Sequence, residues 1–237
     1  MKSRIVFDLE ADELLYSVSQ LWCICAIDLG TEERFKFYED TLGDGVELLQ
    51  TYDLVIGHNI TGYDILALQK FSPHFCCKAI RDTYVMSKLF NPDRAQGHSL
   101  ESYGEELGRK KPEHEDWSQF SEAMLYRCSE DCEINKILYE SLVNRFCRDW
   151  SWLKALELEQ EFALLQARQE LAGVDFDLQL ANKLLFQIDS EVESLDRELQ
   201  SRIPKMVKQV GTTVTKPFKK DGTYTKQVTE WIKSTSI

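Results

Sequence analysis

The chain has 237 residues, 43% of them hydrophobic, which is enough to bury a core and too many for a disordered segment. Its net charge of −12 argues against a surface that holds polyanions through lysine and arginine alone. The longest apolar run, Leu21 to Ile27, is too short to cross a membrane. Seven irregularly spaced cysteines point to a reducing cytoplasm rather than a disulfide framework. Charge is unevenly spread: from Arg202 onward there are eight Lys/Arg against two Asp/Glu, so residues 1–201 carry −18. The basic end is either a phosphate track or a solvated surface hairpin.

Met1 leads through Lys2 and Arg4 into the strand-like Ile5-Val6-Phe7, with no secretory leader. Residues 4–9, 20–28 and 33–38 read as strands, followed by a helix over 44–51 and a buried strand over Asp53–Gly57. Helices are expected over 63–70, 82–90, 98–107 and 118–147. Strands first, then interleaved helices, define an α/β fold with a mixed sheet flanked by helices. A helix-periodic run from Trp152 to Ala172 ends at Gly173, and a second long helix over 177–201 stops before Pro204. Lys216 to Lys226 reads as a β-hairpin turning at Asp221-Gly222. The expected boundary lies near 148–153, which gives a sheet domain over 1–150 and a helical extension with a basic hairpin over 151–237.

Three clusters carry chemistry. In Asp8-Leu9-Glu10, side chains alternate across a strand, so the two carboxylates share one face about 7 Å apart and can share a hard cation. Carboxylates on so apolar a strand are costly unless paired or metal-bound. Next, Gly57-His58-Asn59-Ile60-Thr61-Gly62-Tyr63-Asp64 follows a buried strand and opens a helix, where α/β proteins usually hold ligands. Asn59 and Thr61 can equally well cap free backbone N–H groups. The third cluster, Tyr126-Arg127-Cys128-Ser129-Glu130-Asp131-Cys132, lies on a helix.

The order D-x-E, then H-N-x(3)-Y-D, then a helical Asp after a Tyr, resembles the DEDD 3′–5′ exonucleases. More narrowly, it resembles the proofreading domain of family-A DNA polymerases of bacteria and tailed phages. Arg81-Asp82-Thr83 and His98-Ser99-Leu100-Glu101-Ser102-Tyr103-Gly104 support the likeness, which covers about residues 1–147. It implies a ribonuclease-H-like fold with Asp8, Glu10, Asp64 and Asp131 as catalytic metal ligands. The expected ions are two divalent cations about 3.5–4 Å apart, Mg²⁺ with Mn²⁺ able to substitute, since the ligands are oxygen-only. Asp8 would bridge them, Glu10 and Asp131 would complete the first, and Asp64 would hold the second largely through water. His58 and Asn59 would hold the terminal nucleotide, with Leu14 wedged against its base or simply packed. One departure stands out. The tyrosine subclass has Y-x(3)-D, but here Arg127 fills that slot and Tyr126 stands one residue earlier. Tyr126 is assigned to orienting the attacking water, and the alternatives are that Arg127 contacts a phosphate or that hydrolysis is slow. One residue on a helix is a turn of about 100°, so the two cannot present to one point.

Residues 156–177 and the segment from Lys216 to Gly222 resemble the start of a polymerase region, but no polymerase active-site motif follows. The chain is expected to be either a piece of a longer polymerase or one part of a split one. The expected partners are therefore DNA 3′ ends and, in the split case, a separate polymerase chain, with no membrane, in the cytoplasm (the host's, if the chain is phage-encoded). Two other readings stay open: a weakly active or non-catalytic anchoring subunit, and an exoribonuclease of the ribonuclease D type. Cys128 and Cys132, one turn apart without a second pair, are not expected to bind zinc. Cys23, Cys25, Cys76 and Cys77 are read as core, His98 as a helix cap and His114 as loop.

Overall fold

A computed structural model of the chain describes residues 3–146, 151–202 and 217–235. Two compact units emerge, Met1–Gly173 and Val174–Ile237. In the first, β1 (Arg4–Ala11), β2 (Leu21–Asp28), β3 (Arg34–Tyr38), β4 (Leu54–Gly57) and β5 (Ile80–Asp82) form one sheet in the order β3-β2-β1-β4-β5. The β1–β2 and β2–β3 pairs are antiparallel, and β1–β4 and β4–β5 are parallel. The helices are α1 (Leu42–Thr51), α2 (Asp64–Phe71), α3 (Thr83–Phe90), α4 (Leu100–Glu106), α5 (Glu122–Phe146) and α6 (Leu153–Ala172). This mixed, helix-flanked sheet is the expected ribonuclease-H-like architecture.

Two cores sandwich the sheet. Phe7 and Leu9 point to the side holding Leu49, Ile65 and Leu68. Val6, Cys23 and Cys25 point to the opposite side, where Met124, Leu125, Cys128 and Cys132 of α5 meet them. Strand alternation therefore puts Asp8 and Glu10, opposite Cys25 and Cys23 in the β1–β2 register, on the face that α5 covers. The thiols help dock the helix, because Cys128 donates to Asp8 O at 3.3 Å and Cys132 to Cys25 O at 3.2 Å. The six cysteines among the described residues are free, and Cys76 is exposed rather than part of the core.

Residues 80–82, of which only Asp82 is given an element by the sequence, as the start of a helix, pair as β5 with β4. Three residues are too few to show a strand period, so only the pairing defines this edge. The helix over 153–172 closes against that edge. Gln160 is buried and grips Asp82 twice, accepting from Asp82 N at 2.7 Å and donating to Asp82 O at 3.1 Å. α6 thus lies in the same compact unit as the sheet and stops at Gly173, whose φ of +70° suits glycine.

The second unit contains α7 (Leu178–Arg202), a bridge between Phe218 and Tyr224, and α8 (Lys226–Thr235). The bridge closes around Asp221-Gly222 as the hairpin reading expects, with Gly222 at φ +81°. Pro204 and the basic residues Lys205, Lys208 and Lys216 lie outside the described residues, as does much of the 148–153 boundary. α8, over Lys226–Thr235, follows the hairpin and has no counterpart among the elements expected from the sequence. No helix among the described residues is long and apolar enough to cross a membrane.

Candidate active site

The first two carboxylates lie side by side on β1. Asp8 and Glu10 are half-buried, and Asp131 on α5 is buried at 1% exposure. Carboxylate oxygens of these three residues all lie within 4.8 Å of one another. Asp64, buried at the first position of α2, is outside that tight group but lines the same cavity of about 500 Å³ with Asp8, Glu10 and Asp131. Burial and mutual repulsion raise the proton affinity of the whole set. Asp8 is driven well above the usual carboxylate range, by burial first and then by Asp131 and Glu10. Burial and Asp131 push Glu10 up to about 8, although Arg127 and Lys111 oppose them. Asp64 rises to about 7, chiefly through burial. Asp131 rises for the same reason, and Lys111 pulls it back. Asp131 Oδ1 is buried with no hydrogen-bond partner among the described residues. Crowded oxygen donors with one orphaned atom fit a hard divalent cation.

The loop after β4 carries Asp64. A Cβ on Gly57 would fall 2.0 Å from Ile60 Cγ2, so a side chain is excluded there. Asn59 takes a positive φ of 61°, which Asn tolerates better than most residues. Fully buried Asp82 anchors this turn: its carboxylate accepts from Asn59 N at 2.8 Å, Thr61 N at 2.9 Å and Thr61 Oγ1 at 2.7 Å. Asp82 also caps α3 by accepting from Tyr84 N at 2.9 Å. The local N–H groups are therefore satisfied by Asp82, not by Asn59 or Thr61. Asn59 itself is exposed and lines the carboxylate cavity.

His58 faces a neighbouring cavity of about 610 Å³ with Tyr84, Ser99 and Arg127. Its Nδ1 pairs with Thr83 Oγ1 at 2.9 Å, its Nε2 is buried without a hydrogen-bond partner among the described residues, and burial lowers its pKa to about 4. The ring is thus neutral near pH 7, able to hydrogen-bond but not to supply charge. His98 pairs with Ser87 Oγ at 2.6 Å, and the cap of α4 is Ser99, which accepts from Ser102 N at 3.2 Å. Leu14, 76% exposed, stands at the rim of the carboxylate cavity.

Tyr126 and Arg127 part as the helical rotation requires. Arg127 is one turn before Asp131 on the same face of α5, and its Nε lies 3.5 Å from Glu10 Oε1. Its Nη1 donates to Pro112 O at 2.7 Å, and its guanidinium lies 5.3 Å from the Trp117 ring centroid. Tyr126 is 56% exposed and stays outside both cavities, so the geometry places Arg127, not Tyr126, beside the carboxylates. Residues four apart share a helix face and residues five apart do not, so once α5 turns Asp131 to the sheet Arg127 follows it and Tyr126 turns away.

Sequence reading missed the contribution of residues 107–121, the irregular segment between α4 and α5. Lys111 from this segment places Nζ 2.5 Å from Asp131 Oδ2. The segment is pinned by Arg109, which donates to both Glu130 oxygens at 2.7 and 2.9 Å, and by Trp22 Nε1, which donates to Trp117 O at 3.0 Å. Lys111 ends the short basic run Arg109-Lys110-Lys111, and nothing in that run tells which of its side chains turns to a carboxylate.

No protein-family model matches the chain. The DNA-directed DNA polymerase of Escherichia phage T7 is 25% identical over 82% of this chain and 36% of its own length, so the chain spans about a third of that relative. Among solved structures, Brucella melitensis NrnC bound to pGG is similar with a TM-score of 0.57, at 20% identity over 74% of this chain and 88% of that one. The same protein with bound Mg²⁺ scores 0.55, at 20% identity over 74% and 89%. Escherichia coli RNase D, an exoribonuclease, scores 0.55 at 15% identity, over 70% of this chain and 45% of that one. At these identities the structural likeness speaks for the fold. Fold and sequence similarity together support a nuclease-type domain similar to the DEDD 3′–5′ exonucleases. In sequence it is similar to part of the phage DNA polymerases.

Proposed function

We propose that the chain removes nucleotides from the 3′ end of single-stranded or frayed DNA by metal-assisted phosphodiester hydrolysis, as the proofreading part of a family-A DNA polymerase activity. The observation that carries this reading is the convergence of Asp8, Glu10 and Asp131 within 4.8 Å, with Asp64 across the same cavity. Asp8, Glu10 and Asp131 would hold one divalent ion and Asp64, with Asp8, a second. Such ions supply an activated water and offset charge on the attacking and leaving oxygens. The chain's own groups do the rest. The α2 turn, hung on Asp82, holds Asp64 and Asn59 at the cavity wall. His58 offers an uncharged hydrogen-bonding edge, and Leu14 an apolar rim suited to a terminal base.

Arg127 takes over the position facing the carboxylates, where its guanidinium suits a phosphate oxygen. Tyr126→Phe is expected to leave kcat/KM within about twofold. Arg127→Met is expected to lower it about 10- to 100-fold, as loss of a charged hydrogen bond implies. Steady-state kinetics on a 3′-labelled oligonucleotide compare the two, and the reverse ranking would return the water-orienting role to Tyr126.

The main test incubates purified chain with DNA and RNA oligonucleotides of matched sequence in Mg²⁺, Mn²⁺ or EDTA. Stepwise loss of 3′ nucleotides from DNA, absent in EDTA, is expected. Preference for RNA would move the chain to the exoribonuclease reading. No cleavage of either, with DNA still bound, would favour an anchoring role beside a separate polymerase chain.

A further inference from the structure

A cation belonging to the chain itself sits on the carboxylate set. Lys111 Nζ lies 2.5 Å from Asp131 Oδ2, and its side chain is only 21% exposed. The adjacent Lys110 is 71% exposed and pairs with Glu113 at 3.2 Å. Lys111 also lines both cavities, the one holding the carboxylates and the one holding His58, Tyr84 and Arg127. The next residue is held in place by the bond from Arg127 to Pro112 O. Asp131 is thus satisfied on one oxygen by an ammonium while Oδ1 finds no hydrogen-bond partner among the described residues.

We propose that Lys111 is an internal counter-ion of Asp131 that a divalent cation displaces. Once displaced, its ammonium turns into the adjoining cavity to meet a nucleic-acid phosphate. The inference rests on reading the four carboxylates as a divalent-ion site. An ammonium at bonding distance from Asp131 and a divalent ion on the same carboxylate repel each other at close range. The lysine is the group that can yield, because its head is a single point charge on a flexible four-carbon stem. The anchored backbone at Pro112 keeps that stem between the two cavities. Ion binding and nucleic-acid binding are thereby coupled: the ion releases the positive charge that the substrate uses.

Mn²⁺ binding, read from the free-ion electron paramagnetic resonance signal, tests this on the full chain. Lys111→Met is expected to bind Mn²⁺ about tenfold more tightly than the wild type, while Lys110→Met binds as the wild type does. In the wild type, reductive methylation of Lys111, followed by mass spectrometry, is expected to speed up at saturating Mn²⁺. That measurement stands even if Lys111→Met fails to fold. Unchanged or weaker Mn²⁺ affinity in Lys111→Met overturns the inference. Equal tightening in Lys110→Met overturns it too, because the effect would then be long-range charge. So does a Lys111 that stays protected in saturating Mn²⁺. The Asp8→Asn, Glu10→Gln double variant separates the two levels. Wild-type binding lost in that variant but indifferent to Lys111 removes only the counter-ion role. Binding absent in the wild type, or retained in the double variant, removes the ion site and the inference with it.

Discussion

Replacing Asp8 by Asn and Glu10 by Gln together is expected to reduce metal-dependent 3′ degradation at least about a thousandfold while making the protein more stable in EDTA. Both halves follow from the same geometry. The amides keep shape and volume but withdraw two of the three charged donors that converge within 4.8 Å. On the stability side, the folded state raises the proton affinity of Asp8, of Glu10 to about 8 and of Asp64 to about 7. These values exceed the roughly 4 of an unfolded carboxylate, so the folded state binds more protons than the unfolded one. Stability in EDTA should therefore fall as pH rises from about 4 through about 8, and a divalent ion should restore it above neutrality. The double amide variant should flatten this slope. Near pH 8 it should gain about 1–2 kcal/mol, seen as a rise of a few degrees in Tm. Thermal melts at several pH values, with EDTA and with Mg²⁺, measure both effects. A destabilised double variant, or wild-type cleavage by it, would contradict the assignment of these carboxylates.

The second large effect is on the fold. Asp82→Ala is expected to cost about 3–5 kcal/mol, because it leaves buried donors with no acceptor. Four contacts disappear at once: Asn59 N, Thr61 N, Thr61 Oγ1 and Tyr84 N, all within 2.9 Å of the carboxylate. Asp82→Asn should fall between, since the amide keeps one accepting oxygen and turns a donor toward the other N–H groups. Urea denaturation gives the ranking. Because the turn that Asp82 anchors leads into Asp64, the folded fraction of Asp82→Ala should also bind Mn²⁺ more weakly. A loss under about 1 kcal/mol would mean that water replaces the carboxylate, and that the turn is held by Gly57 and Ile60 packing instead.

Much of this protein is written locally. Alternation along Ile5-Val6-Phe7-Asp8-Leu9-Glu10 is enough to put two carboxylates on one face, because the strand period is two whatever surrounds it. The turn from Gly57 to Asp64 is legible as the opening of a helix that carries Asp64, but the lack of room for a Cβ at Gly57 and the positive φ of Asn59 come from the fold. The order of the four acidic residues then carried the class.

Tertiary structure decided the rest, where partners lie far apart in sequence. Gln160 reaches Asp82 across 78 positions, which gathers α6 into the unit that contains the sheet. β5 is three residues long and exists only because β4 pairs with it. Tyr126 and Arg127 could not be ranked until α5 was docked on β1 and β2, since helix geometry sets their relative direction but not which one faces the sheet. Lys111 shows the limit most clearly. The run Arg109-Lys110-Lys111 does not tell which side chain turns inward, and Lys111 meets Asp131 only because residues 107–121 are folded back over α5. Short-range periodicity is a property of the chain itself; the partner of a charge is a property of the packed fold.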